Sequence, residues 1–362
     1  MSELKRKIAR LIEAAGPMSV AEYMSLCLLD PEHGYYTTRE PFGKKGDFIT
    51  APEVSQMFGE LVAVWLYSAW KACGSPAKPV LAEIGPGRGT MMADMLRTLE
   101  RLDPSFLSDA KLVLIEASPR LSKVQRKTLG QRAEECTWIA DLGDIPEGPL
   151  FIAGNELFDA LPVRQYVKTV QGWRERMVGL DDEDQLAFVA GAGSLETSLL
   201  PKGADNALEG AIVEIAPART AMMQRIAEVL ALRGGAGLFP DYGYERPAIG
   251  DTLQALRAHE YDNVLAHPGE ADLTAHVDFH ALVQAARAEG LCARTMSQGD
   301  FLLGLGLLER AGRLGAGRSH GEQEAIRDAV ERLAGPEAMG ELFRVLAVTP
   351  STVTVPPFTS AH

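Results

Sequence analysis

The chain has 362 residues, 46% of them apolar and 23% charged, with 36 Lys and Arg against 49 Asp and Glu and a formal net charge of −13. That composition describes a soluble globular protein with enough chain for a substantial core, and it excludes disordered and fibrous classes. The acidic balance also argues against broad binding to nucleic acid or anionic membranes, whose phosphates select basic surfaces.

Four cysteines, Cys27, Cys73, Cys136 and Cys292, are widely spaced. They make neither a zinc pattern nor a disulfide framework, and a reducing compartment suits them. No apolar run reaches the ~18 residues that would span a bilayer, so no membrane insertion is expected. The amphipathic N-terminus lacks an apolar core followed by a cleavage site, and it reads as the first helix of a cytoplasmic protein.

In chain order, Leu4, Ile8, Leu11 and Ile12 predict a helix stopped by Gly16-Pro17. Ser19 and Glu22 form a capping-box pattern for a second helix, which Asp30-Pro31 ends. A Gly-, Pro- and aromatic-rich loop runs to Pro52, and a long helix is expected from about Val54 to Ala72. A strand at Pro79–Ile84 enters Gly85-Pro-Gly-Arg-Gly89 and then a helix with Met91, Met92, Met95, Leu96 and Leu99 on one face, ended by Asp103-Pro104. Strands at Lys111–Glu116, near Thr137–Ala140 and at Leu150–Gly154 follow, with a helix around Pro119–Leu129. This alternation predicts a parallel, doubly wound α/β sheet. Three short strands over Gln165–Val170, Trp173–Leu180 and Leu186–Val189 read as an antiparallel meander insertion. The α/β rhythm resumes with a helix over Ala218–Arg233 and a strand at Gly237–Pro240. A second irregular insertion follows, then a helix opened by the Ser319/Glu322 pattern and a last strand at Phe343–Val348. Phe301–Leu308 is apolar throughout and reads as a buried helix or, if exposed, as a homodimer or partner surface.

The glycine run lies between a strand and a helix, where it can let a ligand approach the backbone and the helix N-terminus. Its spacing is neither the dinucleotide GxGxxG nor a P-loop. Glu83 precedes Gly85 by two residues. Glu116 ends the next strand, where a carboxylate can accept hydrogen bonds from both ribose hydroxyls; capping the following helix is the alternative. Asp144 or its neighbour Asp141 is a candidate for the adenine side, with turn roles as the alternative. His276 and His280 are four apart but lack a third ligand, so no metal site is expected.

Glu-x-Gly-x-Gly-x-Gly resembles the motif of Rossmann-like, S-adenosylmethionine-dependent methyltransferases. Three blocks narrow the resemblance. The first is Gly46-Asp-Phe-Ile-Thr-Ala-Pro-Glu-Val-Ser-Gln-Met-Phe-Gly-Glu60, followed by Glu83-Ile-Gly-Pro-Gly-Arg-Gly-Thr90. The second is Asn155-Glu-Leu-Phe-Asp-Ala-Leu-Pro-Val163. The third is Asp241-Tyr-Gly-Tyr244 with Ala271-Asp-Leu-Thr-Ala-His-Val-Asp-Phe279. In this order, across about residues 20–350, they resemble the MidA family, the methyltransferase-like assembly factors of mitochondrial respiratory complex I and their bacterial relatives. Tyr244 stands where the family pattern leads one to expect His.

The resemblance implies a Rossmann-like seven-stranded methyltransferase sheet with a helical N-terminal cap and two insertions, and S-adenosyl-L-methionine as cofactor. It implies a protein substrate, an arginine in a core subunit of the respiratory NADH dehydrogenase. The expected division is a cap and lid over 1–75, a first part of the core over 76–164, the meander over 165–209, a second part of the core over 210–350 with an irregular helical insertion at about 245–340, and a tail over 351–362. Asp47, Glu53, Glu83, Gly85, Gly87, Gly89, Glu116 and Asn155 are the expected cofactor residues. Glu156 and Asp159 are the expected acceptor residues, because paired carboxylates can orient a guanidinium; capping a helix after the fourth strand is their alternative. Competing functions are methylation of a small molecule or another side chain, or a cofactor-binding assembly chaperone without turnover. A dehydrogenase fits least, since the glycine spacing is wrong.

Overall fold

The computed structural model describes residues 2–38, 50–257 and 259–358. Asp47 therefore lies outside the described residues. The chain divides into two units. The first comprises Met1–Phe48, Phe158–Thr220 and Glu245–Asp278, and the second comprises Ile49–Leu157, Ala221–Tyr244 and Phe279–His362.

The second unit carries a mixed sheet. Its strands are β1 (Val80–Ile84), β2 (Lys111–Ile115), β3 (Cys136–Ile139), β4 (Leu150–Ala153), β5 (Gly235–Tyr244), β6 (Leu291–Ser297) and β7 (Phe343–Pro350). They run in the order β3-β2-β1-β4-β5-β7-β6. Neighbours from β3 to β5 are parallel, whereas β7 is antiparallel to both β5 and β6. All five residues of β1 are buried, as a central parallel strand covered on both faces requires. The helix Thr90–Leu102 buries the Met91, Met92, Met95, Leu96 and Leu99 stripe that its spacing predicts. Asp103 ends that helix and caps the next by accepting the Ser105 and Phe106 N–H groups.

One expected helix starts slightly later than its pattern and another is broken. Ser55 takes an extended conformation and accepts the Met57 N–H, so the long helix is Gln56–Ala72 and Ala51–Val54 is a separate turn. The apolar Phe301–Leu308 run is divided between helices Gln298–Gly304 and Leu307–Gly315, with left-handed Gly306 at the break. Phe301, Leu302 and Leu307 are buried, while Leu303 and Leu308 are exposed.

In the first unit the N-terminal helices and the meander share one core. Leu4, Ile8 and Ile12 of Glu3–Ala15 and Tyr23, Met24 and Cys27 of Val20–Leu29 pack with Val178 and Leu273. Met18–Ser19 joins the meander as a strand, pairing with Val178 and Met177. The capping box is complete: Glu22 N–H donates to Ser19 Oγ (3.1 Å) and Ser19 N–H to Glu22 Oε2 (2.8 Å). The stretch expected to be irregular and helical opens instead with a three-stranded antiparallel sheet of Gln254–Arg257, Glu260–Asp262 and Asp272–Thr274. Among the described residues no helix is long and apolar enough to cross a membrane.

Gly235 opens β5 at φ +117°, opposite Leu150, and a Cβ there would overlap the Leu150 carbonyl oxygen. Gly234 is also left-handed (φ +75°) but has open space around its Cβ position. In urea unfolding, Gly235→Ala is expected to cost about 3 kcal/mol or more, against about 1 kcal/mol for Gly234→Ala. Equal losses would show that backbone conformation alone, not the close approach of β4, sets the cost.

Candidate active site

Strand order reverses between β1 and β4, so the carboxyl ends of these two strands flank the crevice where open α/β sheets bind ligands. Glu83 pairs opposite Ala153 across them. Gly85 and Asn155 thus leave the sheet side by side, two residues further on.

The β1 end turns sharply. Gly85, Gly87 and Gly89 all have positive φ (+64°, +51° and +81°), and Gly89 N–H closes a turn on Pro86 O at 2.7 Å. A Cβ on Gly89 would stand 3.3 Å from Gln125 Cα, so the turn lies against the helix Pro119–Leu129. Thr90, the first residue of the next helix, donates its hydroxyl to Glu53 Oε1 at 2.5 Å. Glu53 is thereby placed at the helix N-terminus. Glu83 points into the protein. Burial raises its carboxyl well above the usual carboxylate range and the charge of Asp94 adds to this, while a hydrogen bond from the Met92 backbone opposes it. It therefore holds the first turn of the helix from beneath.

Glu116 follows β2 and is half-buried, and its N–H continues the ladder by donating to Ile139 O at 2.8 Å. Oε1 accepts from Ser118 N–H (2.7 Å) and Oε2 from Gln125 Nε2 (2.9 Å). Burial raises its pKa, opposed by these two hydrogen bonds and by Arg120. Ser118, not Glu116, caps the following helix by accepting from Leu121 N–H. Each carboxylate oxygen retains acceptor capacity for a ligand hydroxyl. Gln125, which no motif of the sequence contains, is the side chain that contacts this carboxylate from the helix Pro119–Leu129. Its signal is present in the sequence, since Leu121, Gln125 and Leu129 form the buried stripe of their helix and the middle member is polar.

At the β4 end, Glu156 has φ +50°, an uncommon conformation for a residue with a side chain. Its N–H donates to Pro240 O of β5 at 2.9 Å. Asn155 Nδ2 donates to Glu156 Oε1 at 2.8 Å, while Asn155 Oδ1 is buried with no partner among the described residues. No helix follows β4; the next regular element is the strand Arg164–Thr169. Helix capping is thus removed as a role for Glu156 and Asp159. Asp159 belongs to the first unit, where its backbone carbonyl accepts from Arg219 Nη2 at 2.8 Å. Near it Tyr36 donates its hydroxyl to Asp272 Oδ1 at 2.9 Å, and burial together with the charges of Asp272 and Asp159 raises the tyrosine pKa. Asp141 is a turn residue that accepts from Gly143 N–H and pairs with Arg225 at 2.5 Å. Asp144 ends the same short turn, exposed.

A glycine turn, a strand-end carboxylate and an unpaired buried acceptor fit an adenosine with an attached amino acid. The hydroxyls and ammonium of such a ligand are donors. With the 3-2-1-4-5-7-6 strand order, these features define a Rossmann-like methyltransferase. A family profile for S-adenosyl-L-methionine-dependent methyltransferases matches residues 61–296. The protein arginine methyltransferase NDUFAF7, mitochondrial, of Rattus norvegicus is 36% identical over 97% of this chain and 85% of its own length. Its Homo sapiens counterpart is 34% identical over 97% and 84%. A crystal structure from Burkholderia thailandensis bound to S-adenosyl-homocysteine matches with a TM-score of 0.82 at 28% identity, covering 97% of this chain and 92% of that one. The chain belongs to the MidA-type family of S-adenosyl-L-methionine-dependent methyltransferases, and S-adenosyl-L-methionine is its methyl donor.

The buried Glu83 predicts a pH effect on stability. A carboxyl whose folded pKa lies above its unfolded value stabilises the fold fully only below that unfolded value. The contribution is lost as pH rises towards the folded pKa. Glu83→Gln should therefore flatten the decline in unfolding free energy as pH rises above the ordinary glutamate range. Parallel wild-type and variant curves would mean that the Glu83 carboxyl is not displaced from its ordinary range.

Proposed function

We propose that this methyltransferase acts on protein, transferring a methyl group to an arginine of a core subunit of the respiratory NADH dehydrogenase, and so supports assembly of that complex. The observation that carries the reading is Glu156, held with a left-handed backbone at the carboxyl end of β4 and oriented by Asn155 beside the glycine turn of β1. The names of the rat and human relatives support the choice of arginine. Action from the cytoplasm is part of the reading for this chain, whereas those relatives are named as mitochondrial.

S-adenosyl-L-methionine supplies an activated methyl group on a sulfonium. Gly85, Gly87 and Gly89 give its amino-acid part a close backbone approach, Glu116 takes the ribose hydroxyls, and Asn155 Oδ1 takes a donor. Glu53, which accepts the Thr90 hydroxyl at the helix N-terminus, is assigned to the cofactor, and Asp47 is assigned to it by its place in the Gly46–Glu60 pattern. Glu83 supports the turn from within. Glu156 receives the guanidinium, and Asp159 is assigned to the acceptor only by its place in the Asn155–Val163 pattern. A carboxylate that binds two guanidinium N–H groups concentrates the positive charge near them and turns a remaining nitrogen towards the methyl carbon. The new N–C bond forms as the S–C bond breaks, and the guanidinium nitrogen then releases one proton to a carboxylate or to water. Positioning carries most of the rate, because the transfer needs an in-line approach.

Two variants separate strain from chemistry. Glu156→Gln should keep S-adenosyl-homocysteine affinity within about twofold and reduce arginine methylation by ~10²-fold or more. Glu156→Gly should also lose transfer, yet match or exceed wild-type stability by up to about 1 kcal/mol, because glycine accepts the positive φ without strain. Transfer that survives in Glu156→Gly would remove the acceptor role. The substrate is tested by mass spectrometry of the NADH dehydrogenase from cells with and without the protein. An arginine methylation that persists without it would overturn the assignment.

A further inference from the structure

Gln125 is completely buried, yet all of its amide is used. Nε2 donates to Gly87 O and to Glu116 Oε2, both at 2.9 Å, and Oε1 accepts from Trp138 Nε1 at 2.8 Å. The orientation of the amide is decided by chemistry. An indole N–H can only donate, so the oxygen must face Trp138 and both N–H groups must face the turn and the carboxylate. The Arg126 guanidinium lies over the Trp138 ring, 3.8 Å from its centroid, and holds the indole in place.

We infer that Gln125 is a positioning residue for the methyl donor, one that locks the glycine turn through Gly87 O and holds the Glu116 carboxylate in its acceptor-only form through Oε2. The inference rests on the reading of Glu116 as the ribose ligand. A ribose diol brings two donors and needs an ionised carboxylate with its lone pairs correctly aimed. Burial opposes that ionisation. The groups that favour it are the Ser118 N–H, Gln125 and the Arg120 guanidinium. Gln125 also bridges two segments that the β1–β2 ladder and the Gly85 N–H to Ile115 O hydrogen bond (3.1 Å) already bring side by side. Gly87 belongs to the turn after β1 and Glu116 to the end of β2, and a single NH2 group spans from one to the other, tying the backbone of the turn to the carboxylate. Replacing it should therefore disturb both halves of the adenosine site and shift the pH range over which the site works.

The test is calorimetric titration with S-adenosyl-homocysteine from pH 5.5 to 8.5, which needs no methyl acceptor. In the wild type, affinity should weaken on the acid side as Glu116 takes up a proton. Gln125→Met should bind roughly tenfold more weakly at pH 7.5 and move this acid limb to higher pH, since a hydrogen bond to the charged form is gone. Gln125→Glu should reverse the trend. It should bind worst at pH 8.5, where two carboxylates oppose each other, and recover as the pH falls and one proton is shared between them. Trp138→Phe keeps a ring in place and removes the donor that orients the amide. It should move the acid limb in the same direction by a smaller amount, and it serves if the Gln125 variants fold poorly. A uniform loss at every pH, or wild-type binding in both Gln125 variants, would overturn the positioning role. Glu116→Gln separates the two layers of the argument. If it binds as tightly as wild type, the ribose reading of Glu116 fails; if it is weak while the Gln125 variants are normal, only the inference about Gln125 fails.

Discussion

The second unit depends on how the helix Thr90–Leu102 is fastened to the end of β1. Five residues separate a fully buried strand from a helix that must lie back across the sheet. The glycines allow the turn, but they do not hold it, since Gly89 has no side chain with which to cap the helix. The hold comes from the hydrogen bond between the Met92 backbone and the Glu83 carboxyl, and from the packing of Gly59 against Asp94, where a Cβ would stand 2.8 Å from Asp94 Cβ. A carboxyl in this place is costly to ionise, so it serves better as a neutral acid than as a charge. The apolar packing of the helix and the placement of the turn are thus two results of one attachment.

This changes how the acidic balance of the chain bears on its chemistry. Glu83, Glu116, Glu156 and Asp159 share a residue class and little else. Glu83 is interior support. Glu116 is half-buried and keeps acceptor capacity. Glu156 combines a strained backbone with an oriented carboxylate, and Asp159 is enclosed in the first unit near Tyr36 and Asp272. A further group of acids is consumed by packing. Glu60 forms a two-point pair with Arg310 (2.7 and 2.9 Å), and Asp94 pairs with Arg97 at 2.6 Å. Burial raises the Asp94 pKa to about 6, with the charges of Glu60 and Glu53 adding to the effect. A formal charge of −13 therefore says little about the field at the methyl donor.

What the sequence made legible follows from local rules. The glycine turn, the alternating strands and helices, and both Ser/Glu capping boxes each depend on residues a few positions apart, and all are present. Features set by distant partners were not legible. Met18–Ser19 is too short to read as a strand, and it becomes one only because Val178 and Met177 offer an edge about 160 positions away. Nothing local told the meander that it would share a core with the N-terminal helices. The break at Gly306 was hidden by an apolar pattern that satisfies one helix as well as two. Gln125 was not legible for a different reason: it is a neutral amide on a helix, outside the charged strand ends that carry the motifs, and its partners Gly87, Glu116 and Trp138 come from three other segments.

The two strand ends stabilise their functional groups by different physics. At the β2 end, Glu116 is fixed by hydrogen bonds from a backbone N–H and a buried amide, and that amide is itself fixed by an indole. Such a network is cooperative and tolerates little change, because removing one member leaves others buried and unpaired. At the β4 end, Glu156 is held by backbone conformation, a hydrogen bond to Pro240 O and one neighbouring amide. The β2 end is therefore the more tightly coupled of the two, since Glu116, Gln125 and Trp138 are linked in one chain of hydrogen bonds.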